Sequence, residues 1–520
     1  MNYLKAIKKW KKFKMALLPI TPPPGVKTNG TEYSNKNSWV ESDLCRFENG
    51  FLTNIGGWQS AKQTKLVGTP IGMYAYYTNT NDRVLVIGTR EKIYVNFRDV
   101  WYDITPTGFV GDAQTSPLGF GAYQYNVEDY GDARSQSGLG FDTKPFSFDN
   151  FGENLIFCCG SDGKIYRWRP DSLGNGSYTP DSQGIQLANS PIGVRGVLVT
   201  NERHIFAFGV QGNPRKIAWS SRETDNVWTA SATNTAGDLI VSSGGSIQGG
   251  VKFGSDVIVF TDVGIQKVYY SGSPFIYGIQ EAGSNCRTSS MKTVTTTGNF
   301  ISWMGDNSFY LYDGRVQKIK SDVHDFVFEN IRYDYRQASC GGHNQLFTEI
   351  WWFFPSGESA QTPNKYVIWN YIDNVWATGS LDRSAWMDQG VMDYPMACAS
   401  DGSVYEHEKG SLQASADIGS AVPFARTGPI EISQGDRLVQ ANQIIPDSDA
   451  ITIPGVTLSF KGKKTPLGAE EDFGSFTFDS DGYQDCRFTA RQISLKVTGD
   501  KVQDFQVGNI RLDVQARGKR

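Results

Sequence analysis

The sequence predicts an all-β protein whose main part is an irregular β-propeller, and three observations carry this prediction. Aromatic residues make up 13% of the 520 residues, and 56 glycines and 21 prolines interrupt short apolar runs. Such a composition favours strands joined by tight turns. A hairpin-like unit recurs along the chain, and amphipathic helical patterns are scarce after residue 30, with residues 321–335 as the best helix candidate.

The recurring unit is a nearly continuous apolar strand, a turn and a second strand. Continuous apolar strands are expected where both faces of a sheet are covered. The second strands of seven such units contain positions 93, 165, 217, 268, 309, 367 and 404, at intervals of 72, 52, 51, 41, 58 and 37 residues. Hairpin repeats of about 40–50 residues are typical of β-propellers. We therefore predict a distorted propeller of about six to seven blades, with two stacked β-sandwiches as the alternative.

The pattern divides the chain into three predicted parts. Residues 1–30 form a basic N-terminal arm and a proline-rich linker, and residues 31–420 form the propeller. Around residue 420 the hairpin unit stops, and strands with strong alternation of apolar and polar residues follow. Residues 421–520 are therefore predicted to be a small antiparallel domain that resembles a β-sandwich.

The basic arm stands out in a chain whose net charge is −4. Residues 4–14 space four apolar side chains three apart with six lysines between them, the pattern of a short basic amphipathic helix. Its functional interpretation is contact with DNA or with a membrane surface. The candidate residues for that contact are Lys8, Lys9, Trp10, Lys11 and Lys12. A disordered tail and a translation start at Met15 are the alternatives.

No arrangement of residues in the sequence predicts catalysis, a cofactor or a metal. The seven cysteines are odd in number and form no CxxC pair, which favours buried, reduced thiols. His324 and His407 each lie between two carboxylates, but we interpret both as surface or turn histidines. The loop Asp479–Asp485 resembles a calcium loop only in part, because no closing glutamate or flanking helix is evident. We therefore predict a protein that is not an enzyme and that needs neither cofactor nor metal.

The most distinctive stretch is WVESDLCRFENGFLTNIGGW, residues 39–58. It follows PITPPPGV and resembles the opening of structural proteins from the tails of tailed bacteriophages, where R-F-x-x-G-x-x-x-x-x-G-G-W follows a PI-x-PPPGV leader. The similarity continues through WSSRETDNVWTASATNTAGDL, FISWMGDNSFYLYDGRVQKI and EIWWFFPS, and ends in RQISLKV and VGNIRLDVQARGKR. It covers nearly the whole chain from about residue 18.

The resemblance implies a structural role for residues 39–58, which we call the N-terminal strap. We expect Arg46 and Phe47 to dock it after a turn signal at Asn49-Gly50. Gly56 and Gly57 would then allow close backbone approach before Trp58 anchors in the first blade.

In layout the chain is also similar to the hub or nozzle proteins of short-tailed phages. That likeness implies a homo-oligomeric ring, hexameric by family resemblance, below the portal and adaptor. The ring would form the DNA exit channel and help to retain and eject the genome. Implied partners are the portal–adaptor complex, tail fibre or spike proteins, phage DNA bound without sequence specificity, and transiently the host membrane. The implied location is the virion tail, after synthesis in the bacterial cytoplasm.

Two other functions remain open at the level of sequence. A receptor- or glycan-binding propeller of a tail tip would use exposed aromatic residues, such as those in EIWWFF and NYIDNVWATG. A glycosidase propeller is the weakest alternative, because two segments approach the S-x-D-x-G-x-x-W turn of sialidase-like propellers but miss required positions.

Overall fold

The computed structural model describes residues 16–112, 115–117, 139–141, 144–415, 417–432, 437–446, 455–465, 468–478 and 482–518. In this part of the chain, seven four-stranded antiparallel sheets follow one another along the sequence. Neighbouring sheets contact through their first strands or through shared apolar cores, and the seventh contacts the first. The protein is a seven-bladed β-propeller with a β-sandwich, so the predicted fold class is confirmed.

Blades 1 to 6 each consist of four consecutive strands. Blade 1 contains Pro70–Tyr77, Arg83–Thr89, Ile93–Phe97 and Val100–Asp103, and blade 2 contains Phe146–Phe151, Asn154–Cys159, Ile165–Trp168 and Ile185–Gln186. Blade 3 contains Gly196–Val199, Ile205–Val210, Asn213–Trp219 and Gly237–Ile240, and blade 4 contains Ile247–Phe253, Asp256–Thr261, Gly264–Gly272 and Ile276–Ser284. Blade 5 contains Thr295–Thr296, Ile301–Met304, Phe309–Tyr312 and Val316–Ile319, and blade 6 contains Cys340–Asn344, Glu349–Phe354, Lys365–Asn370 and Val375–Gly379.

Blade 7 is completed by a strand from before blade 1. Its first three strands are Ala385–Met387, Met396–Cys398 and Val404–His407, and its outer strand is Trp58–Ser60. Trp58 lies opposite His407 in this antiparallel pair. The expectation that Trp58 anchors in the first blade is wrong, because the strand that contains it pairs with the last blade and so closes the ring.

The unequal spacing of the repeats has a structural cause. All seven marker positions lie in the third strands of successive blades. The interval of 72 residues contains the connection from blade 1 to blade 2, which includes a hairpin of Thr115–Pro117 and Leu139–Phe141. The interval of 37 residues is short because the last strand of blade 6 ends at residue 379 and the first strand of blade 7 begins at residue 385.

Apolar cores between neighbouring blades hold the ring together. The aromatic rings of Phe260 in blade 4 and Trp303 in blade 5 lie 5.2 Å apart, and both side chains are fully buried. The largest core joins blades 5 to 7 with the strap and the C-terminal strands, and Trp352, Phe47 and Leu495 belong to it. The propeller and the sandwich therefore share one continuous apolar core.

The sandwich takes strands from both ends of the chain. One sheet is ordered Ala16–Ile20, Ile510–Ala516, Val439–Ile445 and Gln484–Ala490. The other is ordered Trp39–Asp43, Phe424–Thr427, Gln492–Thr498, Thr457–Lys463 and Glu471–Thr477, with Ile430–Glu431 also on Gln492–Thr498. A small third sheet contains Cys45–Glu48, Phe51–Asn54 and Gln506–Val507. The boundaries drawn at residues 30 and 420 therefore do not separate the sheets, because residues 16–20 and 39–43 pair with C-terminal strands.

Helical structure is sparse among the described residues. The α-helix His324–Phe328 and the 3-10 helix Tyr333–Ala338 occupy the region of the helix candidate. The other 3-10 helices are Met291–Thr293, Gln345–Phe347 and Leu412–Ala414. No helix in the described ranges has the length and apolar character that crossing a membrane requires.

Candidate functional site: the N-terminal strap

The strap runs from the sandwich to the closing strand of the propeller. Its first strand, Trp39–Asp43, pairs in the sandwich, and its last residue begins the outer strand of blade 7. Between them, Cys45–Glu48 and Phe51–Asn54 form a hairpin whose turn has Asn49 at φ 51° and Gly50 at φ 86°. Two consecutive left-handed residues are what a type I′ hairpin turn requires, which explains Asn-Gly at this point.

Arg46 is the centre of a buried ionic cluster, with 2% of the residue exposed. Its Nε lies 3.0 Å from Oε1 of Glu349, the first residue of the second strand in blade 6. Its Nη2 lies 2.5 Å from Oε1 of Glu408, which follows the third strand of blade 7. One side chain of the strap therefore bridges two blades. We call Arg46, Glu349 and Glu408 the strap clamp.

Neighbouring groups add hydrogen bonds and a ring contact to the members of the strap clamp. Trp351 Nε1 donates to Glu349 Oε2 over 3.0 Å, and Asn344 Nδ2 donates to Glu408 Oε1 over 3.0 Å. The guanidinium carbon of Arg46 lies 3.6 Å from the ring centroid of Phe347, a cation–π contact. Buried charges persist only when they are paired and hydrogen-bonded, and here each member is.

Burial and pairing act in opposite directions on the charges of the clamp. Burial disfavours the cation, but Glu349 and Glu408 outweigh it and raise the pKa of Arg46 above its ordinary value. Burial raises the pKa of Glu349 to about 7, although Arg46 opposes this rise and Glu408 adds to it. One cation is therefore shared between two carboxylates, and burial brings the pKa of Glu349 close to neutral pH.

Gly56 and Gly57 lie where a side chain would collide with its neighbours. A Cβ on Gly57 would lie 2.2 Å from the carbonyl oxygen of Ser411, and a Cβ on Gly56 would lie 2.9 Å from Cα of Glu408. Gly56 N–H also donates to Glu408 Oε2 over 3.0 Å, and Gly57 N–H donates to the carbonyl of Gly410 over 3.0 Å. The backbone of the strap therefore lies directly against residues 408–411, where Cβ atoms do not fit.

Trp58 belongs to a second buried cluster beside the clamp. Its indole is fully buried, stacks on His407 with ring centroids 5.2 Å apart, and donates a hydrogen bond from Nε1 to Asp417 Oδ1. Arg383 Nη1 donates to Asp417 Oδ2 over 2.7 Å, and Arg383 Nε donates to His407 Nε2 over 2.8 Å. Burial lowers the pKa of His407 well below its ordinary value, so the ring is neutral and can accept that bond.

The other predicted docking residue, Phe47, packs in the shared core. Only 3% of it is exposed, and its ring centroid lies 6.3 Å from that of Trp39. The lysines and tryptophan between residues 8 and 12 lie outside the described residues, as do Asp479 and Asp481 of the partial calcium loop. Asp485 is described, and its Oδ1 accepts a hydrogen bond from Gln443 over 3.2 Å.

The histidines divide into one half-exposed residue and three buried ones. His324 begins the α-helix and contacts Asp325 over 3.2 Å, as expected of a surface histidine. The interpretation of His407 as a surface or turn residue is wrong, because it is 2% exposed. His407 is the last residue of its strand, so its side chain points away from those of its two acidic neighbours. Glu406 therefore pairs with Lys409, and Glu408 pairs with Arg46.

Sequence reasoning missed the partners of the strap. Glu349, Glu408, Arg383 and Asp417 lie far from it in the sequence, and no local pattern pairs them with it. The one available signal was Glu349, an acidic residue at the head of the apolar run EIWWFF. A carboxylate that begins a fully buried strand needs a cation nearby.

Comparison with known proteins leaves the family of the chain open. No family model matches the sequence, and no curated protein matches it. Among solved structures, a catalytically inactive virginiamycin B lyase from Staphylococcus aureus with quinupristin is 9% identical, with a TM-score of 0.38 over 67% of this chain and 98% of that one. The N-terminal domain of Nup159 is 11% identical, with a TM-score of 0.35 over 71% of this chain and 98% of that one. At these scores nothing beyond a general likeness follows, and the propeller is assigned from its own seven sheets.

Proposed function

We propose that this protein is a structural subunit of a bacteriophage tail, a hub or nozzle protein that forms a ring below the portal and adaptor. The observation that carries the proposal concerns the strap, the stretch whose sequence resembles tail proteins. Its distinctive residues Arg46, Gly56, Gly57 and Trp58 lock the propeller to the sandwich. Residues used in this way support a rigid building block and not an open reaction site.

A non-catalytic role is part of the same proposal. The polar groups beside the strap are engaged with one another: His407 accepts from Arg383, and Glu349 and Glu408 share Arg46. Within the described ranges, no three His, Cys, Asp or Glu side chains are grouped as metal ligands. In the proposed tail role, these groups serve only to stabilise the folded subunit.

In this proposal the DNA channel lies at the centre of the ring of subunits. The cavity on the axis of the propeller has a volume of about 540 Å³ and is lined by the first strands of the blades. A cavity of this volume is roughly 10 Å across, whereas the major groove of a DNA duplex alone is about 12 Å wide. The cavity is therefore too small to admit a duplex. A subunit of net charge −4 would let DNA slide past, because like charges repel and few phosphates are neutralised.

The basic arm would act separately from the folded part. Its six lysines would contact DNA in the channel or the host membrane during ejection. Tail fibres or spikes would bind the outside of the ring. The number of subunits, six by family resemblance, is part of the proposal.

The aromatic residues that suggested glycan binding are mostly buried. The aromatic residues of EIWWFF, Trp351 to Phe354, are at most 1% exposed, and Trp376 of the second segment is 1% exposed. These rings fill the core between the blades and the strap. The buried tryptophans and phenylalanines of these two segments therefore offer no platform for a sugar, and we propose no second function.

The proposal is tested by mixing the purified protein with a purified portal–adaptor complex. We expect co-elution in size-exclusion chromatography with light scattering, and a ring below the adaptor in electron micrographs. A matched sample with the strap variant Gly57→Arg should lose this ring, because the side chain has no space beside Ser411. A wild-type protein that stays monomeric beside the complex, or that binds or cleaves glycans on an array, would overturn the proposal.

A further inference from the structure

The propeller has a cavity on its axis with the size of a small-molecule site. Its volume of about 540 Å³ lies within the range of roughly 300–1,000 Å³ that is common for ligand pockets. Residues from all seven blades line it, and Met73, Phe148, Met291 and Trp386 supply apolar walls. Several positions around it are glycines, which leave room near the axis.

A second cavity of about 380 Å³, which we call the vestibule, continues the axial cavity at one end. Arg195, Gln248 and Met291 line both cavities, so the two are adjacent. The vestibule is built from loops between strands and between blades, such as residues 160–163 of blade 2 and residues 287–291 after blade 4. Its lining is more polar than that of the axial cavity.

Cations outnumber carboxylates at this end of the axis. Four line the vestibule and a fifth lines the axial cavity next to it: Lys144, Arg195, Arg287, Arg336 and Lys292. The carboxylates that line the described vestibule are those of Asp162 and Asp262; Asp306 pairs with two of the cations, and Asp112 acts electrostatically on Lys292. Asp306 is shared by two cations, because its oxygens lie 2.5 Å from Arg287 Nε and 3.2 Å from Arg336 Nε.

The two carboxylates that line the vestibule are engaged with their own loops. Asp162 accepts from the hydroxyl of Tyr166 over 2.5 Å and from the N–H of Val110 over 3.1 Å. Asp262 Oδ1 accepts from the N–H of Gly245 over 2.8 Å. Neither forms an ion pair with Arg195 or Lys292.

Lys292 and Arg195 keep most of their donors available. Lys292 Nζ donates to the carbonyl of Ala338 over 2.9 Å, and burial lowers the pKa of this lysine to about 8. Arg195 Nη1 lies 3.3 Å from Gln248 Oε1. An ammonium has three donors and a guanidinium five. Within the described part of the chain, neither cation is paired with a carboxylate, although both line the axial cavity.

The opposite end of the axial cavity is electrically balanced. Lys252 Nζ lies 2.8 Å from Asp149 Oδ2, and that carboxylate also accepts from the N–H of Val199 over 2.8 Å. Tyr74 donates to the other oxygen over 3.3 Å. A bound anion would therefore be drawn to the vestibule end, where Arg195 and Lys292 form no ion pair within the described residues.

We propose that the vestibule end of the axial cavity binds a small ligand through a phosphate or carboxylate group. Arg195 and Lys292 are the cations assigned to this group, because both line the cavity and because a guanidinium and an ammonium form charge-assisted hydrogen bonds with oxyanions. Arg287 and Arg336 add positive potential at the mouth, and the apolar walls accept the body of the ligand. This site is independent of the tail role, which needs no ligand on the propeller axis.

Calorimetric titration with inorganic phosphate and with citrate, at pH 7 and constant ionic strength, tests the site. We expect saturable binding of at least one anion, and the tighter of the two identifies the group as phosphate or carboxylate. Arg195→Gln and Lys292→Met should each weaken binding about tenfold or more, as expected for loss of a hydrogen bond to a charged group. Arg83→Gln is the matched control, because Arg83 is an exposed cation paired with Asp393 and does not line either cavity.

Two exposed variants separate specific anion binding from a general effect of net charge. Arg195 is exposed, so its replacement should leave the melting temperature unchanged and decides the outcome even if Lys292→Met fails to fold. Absence of saturable binding by both anions overturns the site. Equal weakening in Arg195→Gln and Arg83→Gln also overturns it, because that would show a general effect of net charge.

Discussion

Arg46 and Glu349 form an ion pair in the interior of the protein, with Nε 3.0 Å from Oε1 and side chains only 2% and 1% exposed. The two residues are 303 positions apart in the sequence. One belongs to the strap and the other to blade 6, so the pair joins the segment that leaves the sandwich to the propeller. Because a lone buried charge is strongly disfavoured, the two elements depend on each other.

Replacement of Arg46 should be severe. Arg46→Met removes the cation and leaves Glu349 and Glu408 facing each other in the interior. We expect the free energy of unfolding to fall by about 3–5 kcal/mol in urea titrations. Arg83→Met, which breaks an exposed pair with Asp393, should cost less than about 1 kcal/mol. Similar costs for the two variants would show that the clamp contributes no more than a surface ion pair.

Glu349 should make stability depend on pH. Burial raises its pKa to about 7 in the folded protein, whereas an unfolded chain has a value of about 4.3. Between these values the folded protein holds a proton that the unfolded chain has released. Its contribution to stability is therefore complete below about pH 4 and is lost as the pH rises through about 7.

Unfolding measured from pH 4 to pH 8 in the wild type and in Glu349→Gln tests this dependence. The variant does not titrate, so it should lack this part of the decline in stability with rising pH. The exposed substitution Glu470→Gln serves as the control and should retain the wild-type slope. Identical slopes in wild type and Glu349→Gln would contradict the assignment.

Gly57→Ala should release the closing strand. The new Cβ would lie 2.2 Å from the carbonyl oxygen of Ser411, and backbone must move to admit it. Hydrogen exchange should then accelerate at residues 58–60 and at their partners 405–407. Gly50→Asn is the control, because no atom lies within 4 Å of its Cβ and asparagine accepts a left-handed backbone. Unchanged exchange in Gly57→Ala would mean that the strap can shift without cost.

Two of the fully buried tryptophans, Trp58 and Trp303, should behave as core residues. Trp58→Ala and Trp303→Ala each remove a ring that is 0% exposed, and we expect a loss of about 3–5 kcal/mol in each case. Trp101→Ala, at a half-buried ring, should cost less. Melting of both core variants at the wild-type temperature would show that these rings contribute little to the core.

The blades could be predicted from the sequence because each is a local unit. A buried strand, a turn and a second strand lie within about 15 residues, and the apolar pattern records them directly. The apolar pattern places position 404 in the second strand of a seventh unit, and Val404–His407 is the third strand of blade 7. The outer strand of that blade could not be found in this way, because its partner lies more than 340 residues away.

The composition of the strap clamp was beyond sequence reasoning for the same physical reason. Arg46 was identified as a docking residue, but what it docks against depends on how blades 6 and 7 meet. The apolar stretch Ala16–Ile20 is five residues long and reads equally well as part of a linker. It becomes a strand only because Ile510–Ala516 offers an open edge. Non-local pairing leaves little trace in a single sequence.

The pairing of Ala16 with Val514 also means that the first strand is synthesised long before the strand with which it pairs. The first strand leaves the ribosome almost 500 residues before its partner, a delay of roughly 25–100 s at about 5–20 residues per second. Throughout that interval the strand exposes unpaired N–H and C=O groups, which can pair with a second nascent chain. Fast translation or an early chaperone should therefore raise the yield of native protein.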